Sequence, residues 1–322
     1  MRTGTIGRSV HGETVRWMPS FLALSVVWGS SFALIKVALD EGVAPVWVAF
    51  GRCFFGVLAL GAICLVRRDA LPGSRATWSH ALAVAALLNA LPFSFLAFGE
   101  THVSSVLAGV FNAVTPLSTL LFALALVPQE QLTARRLSGL AVGFCGVLVV
   151  LGVWQGLGGA SLVGSLACIA STVCLGAGFA YTRRFFSGRD GSAVALSTVQ
   201  LICATVELAL LAPLLNGAPE VPGAKGLAAL AVLGALGTGI AYILNLRVIR
   251  VAGPTIASTV TYVIPLWSTL FGTLLLSEPL SWNTLVGACL VVVGVVLTRA
   301  PGGRTPHRPV PTGPEPEPTS RQ

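Results

Sequence analysis

The sequence is divided into long apolar segments, each of the length that crosses a lipid bilayer as a helix. A membrane-spanning helix needs about 20 apolar residues, because each residue adds about 1.5 Å. Hydrophobic residues make up 54% of the 322-residue chain and charged residues only 10%. We therefore predict an all-α integral membrane protein with ten transmembrane helices, at 18–39, 44–66, 76–98, 103–127, 137–154, 161–182, 193–215, 226–247, 254–276 and 283–299.

The positions of the basic residues predict how these helices are oriented. If the N-terminus is cytoplasmic, seventeen of the twenty lysines and arginines fall in cytoplasmic segments, and the external loops contain only Lys225. Lys36 and Arg52 lie within predicted helices. An excess of basic residues in cytoplasmic loops is typical of multi-pass membrane proteins. Both termini are therefore predicted to be cytoplasmic, and the net charge of +8 indicates membrane topology rather than binding of nucleic acid.

The chain also contains an internal repeat. VWGSSFALIK at Val27–Lys36 resembles CLGAGFAYTR at Cys174–Arg183, 147 residues later. Two further landmarks follow in the same order at 149 and 148 residues, Pro116 with Pro265 and Glu130 with Glu278. Each unit contains five predicted helices, so the second unit enters the membrane from the opposite side. Inverted repeats are common in secondary transporters, whose two halves exchange conformations.

This repeat divides the chain into two membrane units with short tails. We predict a first five-helix unit at 18–154 and a second, inverted unit at 161–299. The predicted cytoplasmic N-terminal tail is 1–17. The proline-rich stretch 300–322 is predicted to be a disordered cytoplasmic tail, because it has too few apolar residues to form a core.

Several short motifs carry a resemblance to a known family. They are WGSSFALIK in helix 1, P-x-x-V-A-F-x-R at Pro45–Arg52, and P-L-x-x-x-L-F-A-L from Pro116, followed by Glu130 and Gly139. Over about 18–299 the chain resembles an EamA-type member of the drug/metabolite transporter superfamily. The resemblance implies a ten-helix basket with a central cavity in the bacterial plasma membrane. It also implies export of amino acids, other metabolites or toxic compounds.

Two prolines predict where a solute binds. Pro116 and Pro265 lack an N–H and leave the carbonyls of Asn112 and Thr261 unpaired near the middle of two helices. Free carbonyls at that depth need protein, water or a ligand. With polar and aromatic residues of neighbouring helices, they give a predicted binding set of Trp28, Ser31, Asn89, Phe93, Asn112, Thr115, Pro116, Tyr181, Tyr242, Asn245, Thr261, Tyr262 and Pro265. The alternative is that such small polar side chains only join packed helices.

Three charged residues within predicted helices need an explanation, because charge in hydrocarbon is costly. Lys36 ends helix 1 and is predicted to pair with Asp40 four residues later, or to line a vestibule. Arg52 is predicted to form a structural ion pair or to recognise an anion. Its candidate acidic partners are Asp40, Glu41 and Glu100.

Glu207 lies near the middle of helix 7 and leaves two alternatives open. A desolvated carboxyl group could exchange a proton during transport, or it could be a neutral group hydrogen-bonded to a neighbour.

The sequence gives no sign of catalysis, a metal site or a cofactor. It has no HExxH or GxSxG motif, and its four histidines are scattered among ends, loops and tails. The seven cysteines lie in predicted helices without a CxxC pair. We therefore expect a carrier, not an enzyme, that exports a small solute by alternating access. The alternative is a membrane sensor or assembly scaffold without solute flux.

The partners expected are a small-molecule solute and the lipid bilayer, with protons as one candidate coupling ion. Gly139, Gly143 and Gly146, with Gly287 and Gly294, predict close packing of helices 5 and 10. Because that packing suits either an internal contact or a dimer, the sequence leaves monomer and homodimer open.

Overall fold

The computed structural model describes residues 9–126, 134–151, 161–186, 191–252 and 260–298. All regular secondary structure in these ranges is helical. Consecutive α and π segments join into longer helices. The helices are α1 Ser9–Asp40, α2 Pro45–Arg67, α3 Arg75–Glu100, α4 Ser105–Leu126, α5 Ala134–Leu151, α6 Leu162–Phe186, α7 Ala193–Asn216, α8 224–252, α9 Val260–Leu276 and α10 Trp282–Thr298.

The helices have the length and composition of a multi-pass membrane protein. Within the described ranges, seven are long and apolar enough to cross a membrane, namely α1 to α4 and α6 to α8. The other three contain shorter apolar helices, at Leu137–Val150, Val263–Leu276 and Trp282–Gly294. This confirms the all-helical membrane character predicted from hydropathy.

Some boundaries differ from the prediction or lie outside the described residues. Helix α1 begins at Ser9, earlier than the predicted first span at 18. The tail 300–322, the landmark Glu130 and residues 1–8 are not among the described residues, and neither is the predicted start of helix 9 at 254.

Pro116 coincides with a break in α4. The helix is formed by two pieces, Ser105–Asn112 and Thr115–Leu126, with a turn at residues 113 and 114. A proline ring clashes with the carbonyl four residues earlier, here that of Asn112, which explains the interruption. By contrast, α9 continues without interruption through Pro265.

Two π-helical stretches occupy related positions. Ala86–Ala90 lies within α3 directly before Pro92, and Ala235–Ile240 lies within α8. Their first residues are 149 positions apart. Pro92 has no N–H to donate, and its ring clashes with the preceding turn of a regular α-helix. In α3, the wider turn of the π-helix accommodates both effects.

The main contacts between helices follow the internal repeat. Those made by helices of α1 to α5 have counterparts made by the related helices of α6 to α10. Helix α1 packs against α9 and α8, and α6 packs against α4 and α3. Helix α2 packs against α7, and α5 against α10, so each of these pairs is its own counterpart.

Two glycines related by the repeat permit matching close contacts. A Cβ at Gly29 of α1 would overlap Cβ of Trp267 in α9. A Cβ at Gly176 of α6 would come within 2.6 Å of Ser118 in α4. Gly29 and Gly176 are 147 positions apart, and their contact residues are 149 apart, so the same packing device is used in both halves.

The predicted glycine packing of helices 5 and 10 is an internal contact. A Cβ at Gly146 would lie 2.7 Å from the amide nitrogen of Val291, and one at Gly294 would overlap the backbone of Gly143. These glycines therefore join α5 to α10 within one chain.

Candidate functional site

A cavity of about 250 Å³ lies between the two halves. Its wall is formed by α1 to α4 and α6 to α9, and none of the described residues of α5 or α10 contributes to it. The lining residues are Trp28, Ser31, Phe32, Ile35, Arg52, Leu88, Phe93, Leu96, Asn112, Thr115, Ser171, Leu175, Phe179, Ser197, Gln200, Tyr242, Asn245, Thr261 and Ile264.

The structure brings most of the predicted binding residues together on this wall. Those that line the cavity are Trp28, Ser31, Phe93, Asn112, Thr115, Tyr242, Asn245 and Thr261, together with Arg52. Those outside the lining are Asn89, Pro116, Tyr181, Pro265, Lys36 and Glu207. The side chain of Tyr262 lies outside the part of the chain that the structure describes.

Asn112 owes its position to the break in α4. It is the last residue of the first helical piece, and Thr115 begins the second. The turn between the pieces leaves the Asn112 carbonyl outside the regular helical hydrogen-bond pattern. Asn112 and Thr115, on the two sides of the break, both line the cavity. The Thr115 hydroxyl itself is buried and has no hydrogen-bond partner among the described residues.

Asn89 lies behind the cavity wall and forms hydrogen bonds with two polar side chains that line it. It is fully buried in the π stretch of α3. Gln200 Nε2 donates to Asn89 Oδ1 at 2.6 Å, and Asn89 Nδ2 donates to the hydroxyl of Tyr242 at 3.0 Å. Asn89 therefore fixes the orientation of two lining side chains from α7 and α8.

Arg52 is a buried cation on the wall. It lies in α2, and only 8% of its surface is exposed. Its Nε donates to Thr238 Oγ1 at 2.9 Å, and its guanidinium carbon lies 3.9 Å from the ring centroid of Phe93. A charge at the centre of a membrane helix costs about 2.5–3.5 kcal/mol on insertion scales. The hydrogen bond and the cation–π contact offset part of that cost.

Two of the acids predicted as partners of Arg52 pair with lysines instead. Asp40 Oδ1 lies 3.6 Å from Lys36 Nζ, as their spacing of four residues predicts. Glu41 Oε1 lies 3.1 Å from Lys225 Nζ.

The third candidate, Glu100, is fully buried at the end of α3. Its backbone carbonyl accepts a hydrogen bond from Lys36 Nζ at 3.3 Å, but neither carboxyl oxygen has a hydrogen-bond partner among the described residues. Within those residues, no carboxylate lies at ion-pair distance from Arg52. The predicted structural ion pair of Arg52 is therefore not formed there.

The contact of Arg52 has a counterpart in the other half. Arg52 and Gln200 are 148 positions apart, as are the first residues of α2 and α7. Their partners Thr238 and Asn89 are 149 positions apart, and both lie in the π stretches. In each half, a side chain of α2 or α7 donates a hydrogen bond to the π stretch of the opposite half.

Sequence reasoning missed three polar residues of the wall. Ser197 and Gln200 lie on α7, and Ser171 lies on α6, where its hydroxyl donates to the carbonyl of Pro92 at 2.9 Å. The repeat register could have found Gln200, because it matches Arg52. We found no comparable signal for Ser171 or Ser197.

The remaining predicted residues have local partners or lie apart from the wall. The hydroxyl of Tyr181 hydrogen-bonds with His80 Nδ1 at 2.8 Å. Glu207 is half-buried, and its Oε2 atom has no hydrogen-bond partner in the described ranges. In the same ranges, no group of three or more metal-ligating side chains is present.

The chemistry of the wall is mainly apolar and aromatic with a few polar groups, which is typical of a small-molecule site. Arg52 is its one charged side chain among the described residues, and no aspartate or glutamate lines it.

Comparison with known proteins identifies relatives over nearly the whole chain. An uncharacterized inner membrane transporter of Escherichia coli K12, YedA, is 27% identical over 296 residues, covering 90% of this chain and 93% of YedA. An uncharacterized transporter of Archaeoglobus fulgidus is 25% identical over 289 residues, covering 87% and 96%. A protein of known crystal structure matches with a TM-score of 0.60 at 21% identity, over 90% of this chain and 98% of the other.

The family comparison covers both halves separately. The model of the EamA-like transporter family matches residues 15–152 and again 162–300. The first match ends at residue 152 and the second begins at residue 162. The chain belongs to the EamA-like transporter family.

Proposed function

We propose that this protein is a secondary transporter that exports a small solute across the bacterial inner membrane by alternating access. The observation that carries the proposal is the cavity of about 250 Å³, whose wall is formed by helices of both halves. A site between two similar halves can open to either side when the halves exchange conformations. Membership of the EamA-like transporter family and the similarity to YedA, an inner membrane transporter, support the membrane location.

The proposed architecture is ten transmembrane helices in a 5+5 inverted arrangement, with both termini cytoplasmic. The matching π stretches, the matching glycine contacts and the distribution of basic residues support it. Gly188→Cys and Pro222→Cys, each introduced after the seven native cysteines have been replaced by alanine, test it with a membrane-impermeant thiol reagent. We expect the first to react only from the cytoplasmic side and the second only from outside. Reaction of both from the same side would contradict the arrangement.

In the proposed cycle, the solute lies against the break in α4 and the facing residues of α8 and α9. Asn112 and Asn245 supply amide groups, and Thr115 and Thr261 lie on the same wall. Trp28 and Phe93 supply aromatic surface. Groups of this kind bind a solute through a few directed hydrogen bonds within an apolar pocket.

Untargeted comparison of metabolites in the medium of cells with and without the protein would identify the solute. The purified protein is then reconstituted in proteoliposomes, and flux of that solute is measured with and without a proton gradient. We expect flux that depends on the protein. A sensor or scaffold would give no flux of any exported metabolite, and this result would contradict the proposed function.

A further inference from the structure

Arg52 places a buried positive charge on the cavity wall, and no carboxylate of the described residues lies at ion-pair distance from it. The Arg52 guanidinium has five N–H donors, and only Nε has a hydrogen-bond acceptor among the described residues, the hydroxyl of Thr238. Phe93 covers one face of the group at 3.9 Å. The two terminal amino groups are therefore left to a ligand or to water, and Arg52 lines the cavity.

The residue related to Arg52 in the other half shows that the hydrogen bond at this position does not depend on a positive charge. Gln200 stands at the related place, lines the same cavity and donates to Asn89. A neutral amide therefore suffices to join this part of the wall to the opposite π stretch. Packing of the repeat does not require the positive charge at Arg52.

The rest of the wall limits which ligand can use that charge. No acidic side chain lines the cavity in the described part of the chain, so a cationic group would find no counter-charge. Most lining residues are apolar or aromatic, and the volume of about 250 Å³ suits a small solute. A single guanidinium engages one carboxylate through two parallel hydrogen bonds.

We propose that Arg52 is the anion-binding group of the transport site, and that the solute is a small monocarboxylate with an apolar or aromatic body. This inference rests on the proposed transport function. In the bound state the carboxylate accepts from the terminal amino groups of Arg52. The apolar body lies against Trp28, Phe93 and Phe179.

The first test is binding of probes that share a phenylethyl body and differ in the polar groups attached to it. Thermal unfolding of the full-length protein in detergent is measured with 3-phenylpropionate, 3-phenylpropionamide, 2-phenylethylphosphonate and phenylalanine, followed by a panel of branched and aromatic monocarboxylates. We expect carboxylates to raise Tm in a saturable way, and the amide and the zwitterion to bind at least about tenfold more weakly. Equal binding of the amide, preference for the phosphonate, or no effect of any carboxylate would overturn the proposal.

The second test removes the charge while keeping the hydrogen bond. Arg52→Gln reproduces the residue found at Gln200, and we expect it to fold with an unchanged elution profile and to bind carboxylates at least about tenfold more weakly. Arg52→Lys should retain part of the affinity, because it keeps the charge but loses the bidentate geometry. Unchanged carboxylate affinity in Arg52→Gln would contradict the proposal.

A third variant distinguishes anion binding by Arg52 from a structural electrostatic interaction between Arg52 and Glu100. Glu100→Gln removes the nearby buried carboxyl group and should leave carboxylate affinity within about threefold of the unmodified protein. If Glu100→Gln and Arg52→Gln weaken binding and stability equally, Arg52 acts as a structural partner of Glu100 and the proposal fails.

The flux assay distinguishes failure of this inference from failure of the proposed function. Protein-dependent flux of a neutral or cationic metabolite that is unaffected by Arg52→Gln would overturn the anion site alone. Absence of flux for every exported metabolite would overturn the transport function itself.

Discussion

The two halves of the cavity wall use the same framework with different chemistry. In one half Arg52 of α2 donates to Thr238, and in the other Gln200 of α7 donates to Asn89. Both acceptors lie in π stretches that begin 149 residues apart. The common hydrogen bond is therefore a structural feature of the repeat. The charge is present in only one half, so we assign it to ligand binding.

A second difference concerns the two prolines. Pro116 and Pro265 are related by the repeat, yet α4 is broken next to Pro116, whereas α9 runs through Pro265. The local cause is the same in both helices, because proline removes one hydrogen bond and clashes with the preceding turn. The proline alone therefore does not decide whether the helix is interrupted. The two halves are thus similar in sequence but differ in conformation at the cavity.

The largest expected effect is on the glycine contacts that both halves share. Gly29→Leu and Gly176→Leu each place a side chain against a neighbouring helix, at Trp267 and Ser118 respectively. Overpacking of this kind costs about 3 kcal/mol, so we expect loss of folded protein from both variants. The measurement is the yield of monodisperse protein in size-exclusion chromatography. Gly61→Leu is the matched control, since a Cβ at Gly61 meets nothing within 4 Å. Normal folding of only one variant would show that the halves are not packed equivalently.

The next effect is expected at the related positions Asn112 and Thr261, on the cavity wall. Asn112→Leu removes the amide at the break in α4, and we expect transport to be abolished while folded protein is retained. Thr261→Val keeps the shape of the side chain in unbroken α9 and should lower transport less. Initial rates in proteoliposomes measure both. Thr273→Val is the control, because its hydroxyl bonds the carbonyl of Thr269 in the same helix. Unchanged transport in Asn112→Leu would contradict the site assignment.

The buried hydrogen bonds to the two π stretches can be removed separately in each half. Asn89→Leu leaves Gln200 and Tyr242 without their shared partner, and an unsatisfied buried group costs about 1–3 kcal/mol. Thr238→Val removes only one hydrogen bond, the one that Arg52 Nε donates. We therefore expect a larger fall in Tm from Asn89→Leu than from Thr238→Val.

The control for this pair is Ser94→Ala, which removes only a hydroxyl bonded to the carbonyl of Ala90 in its own helix. Equal Tm losses from Asn89→Leu and Thr238→Val would mean that the hydrogen bonds to the two π stretches contribute equally to stability.

A smaller effect is expected from replacing the two prolines. Pro116→Ala restores an N–H donor and favours a continuous α4, which would remove the turn that exposes Asn112. We expect slower transport with equal or higher Tm. Pro265→Ala acts on a helix that is already continuous and should change transport less. A larger transport loss from Pro265→Ala would indicate that the functional break lies in α9 in another state of the cycle.

The smallest effect is expected at Glu207. Its repeat-related position, 148 residues earlier, is Ala59, so the first half has no equivalent carboxyl group. Glu207 also lies outside the cavity lining. We expect Glu207→Gln to leave initial transport rates and their response to a proton gradient within about twofold of the unmodified protein. Loss of the gradient response would instead assign proton coupling to this residue.

The repeat landmark Glu278 illustrates how far sequence reasoning reached. Its alignment with Glu130 marked it as part of the repeat but gave it no role. In the structure its carboxylate accepts hydrogen bonds from the backbone N–H of Ser105 and Val106 and from the Ser105 hydroxyl, at 2.8, 3.0 and 2.9 Å. A carboxylate is favourable at a helix N-terminus, where unpaired N–H groups and the helix dipole meet. The partner lies 173 residues away, so no local pattern could predict it.

The sequence by itself determined the apolar segments, the internal repeat and which of those segments carry polar groups. Hydropathy, segment length and motif order are local properties, and the bilayer constrains them directly. The tertiary structure decided that Arg52 lacks an acidic partner among the described residues, that Asn89 stands behind the wall, and that α5 and α10 pack within one chain. Spacing along a helix fixes the face on which a side chain lies, but its partner depends on how helices distant in sequence rotate and pack against one another.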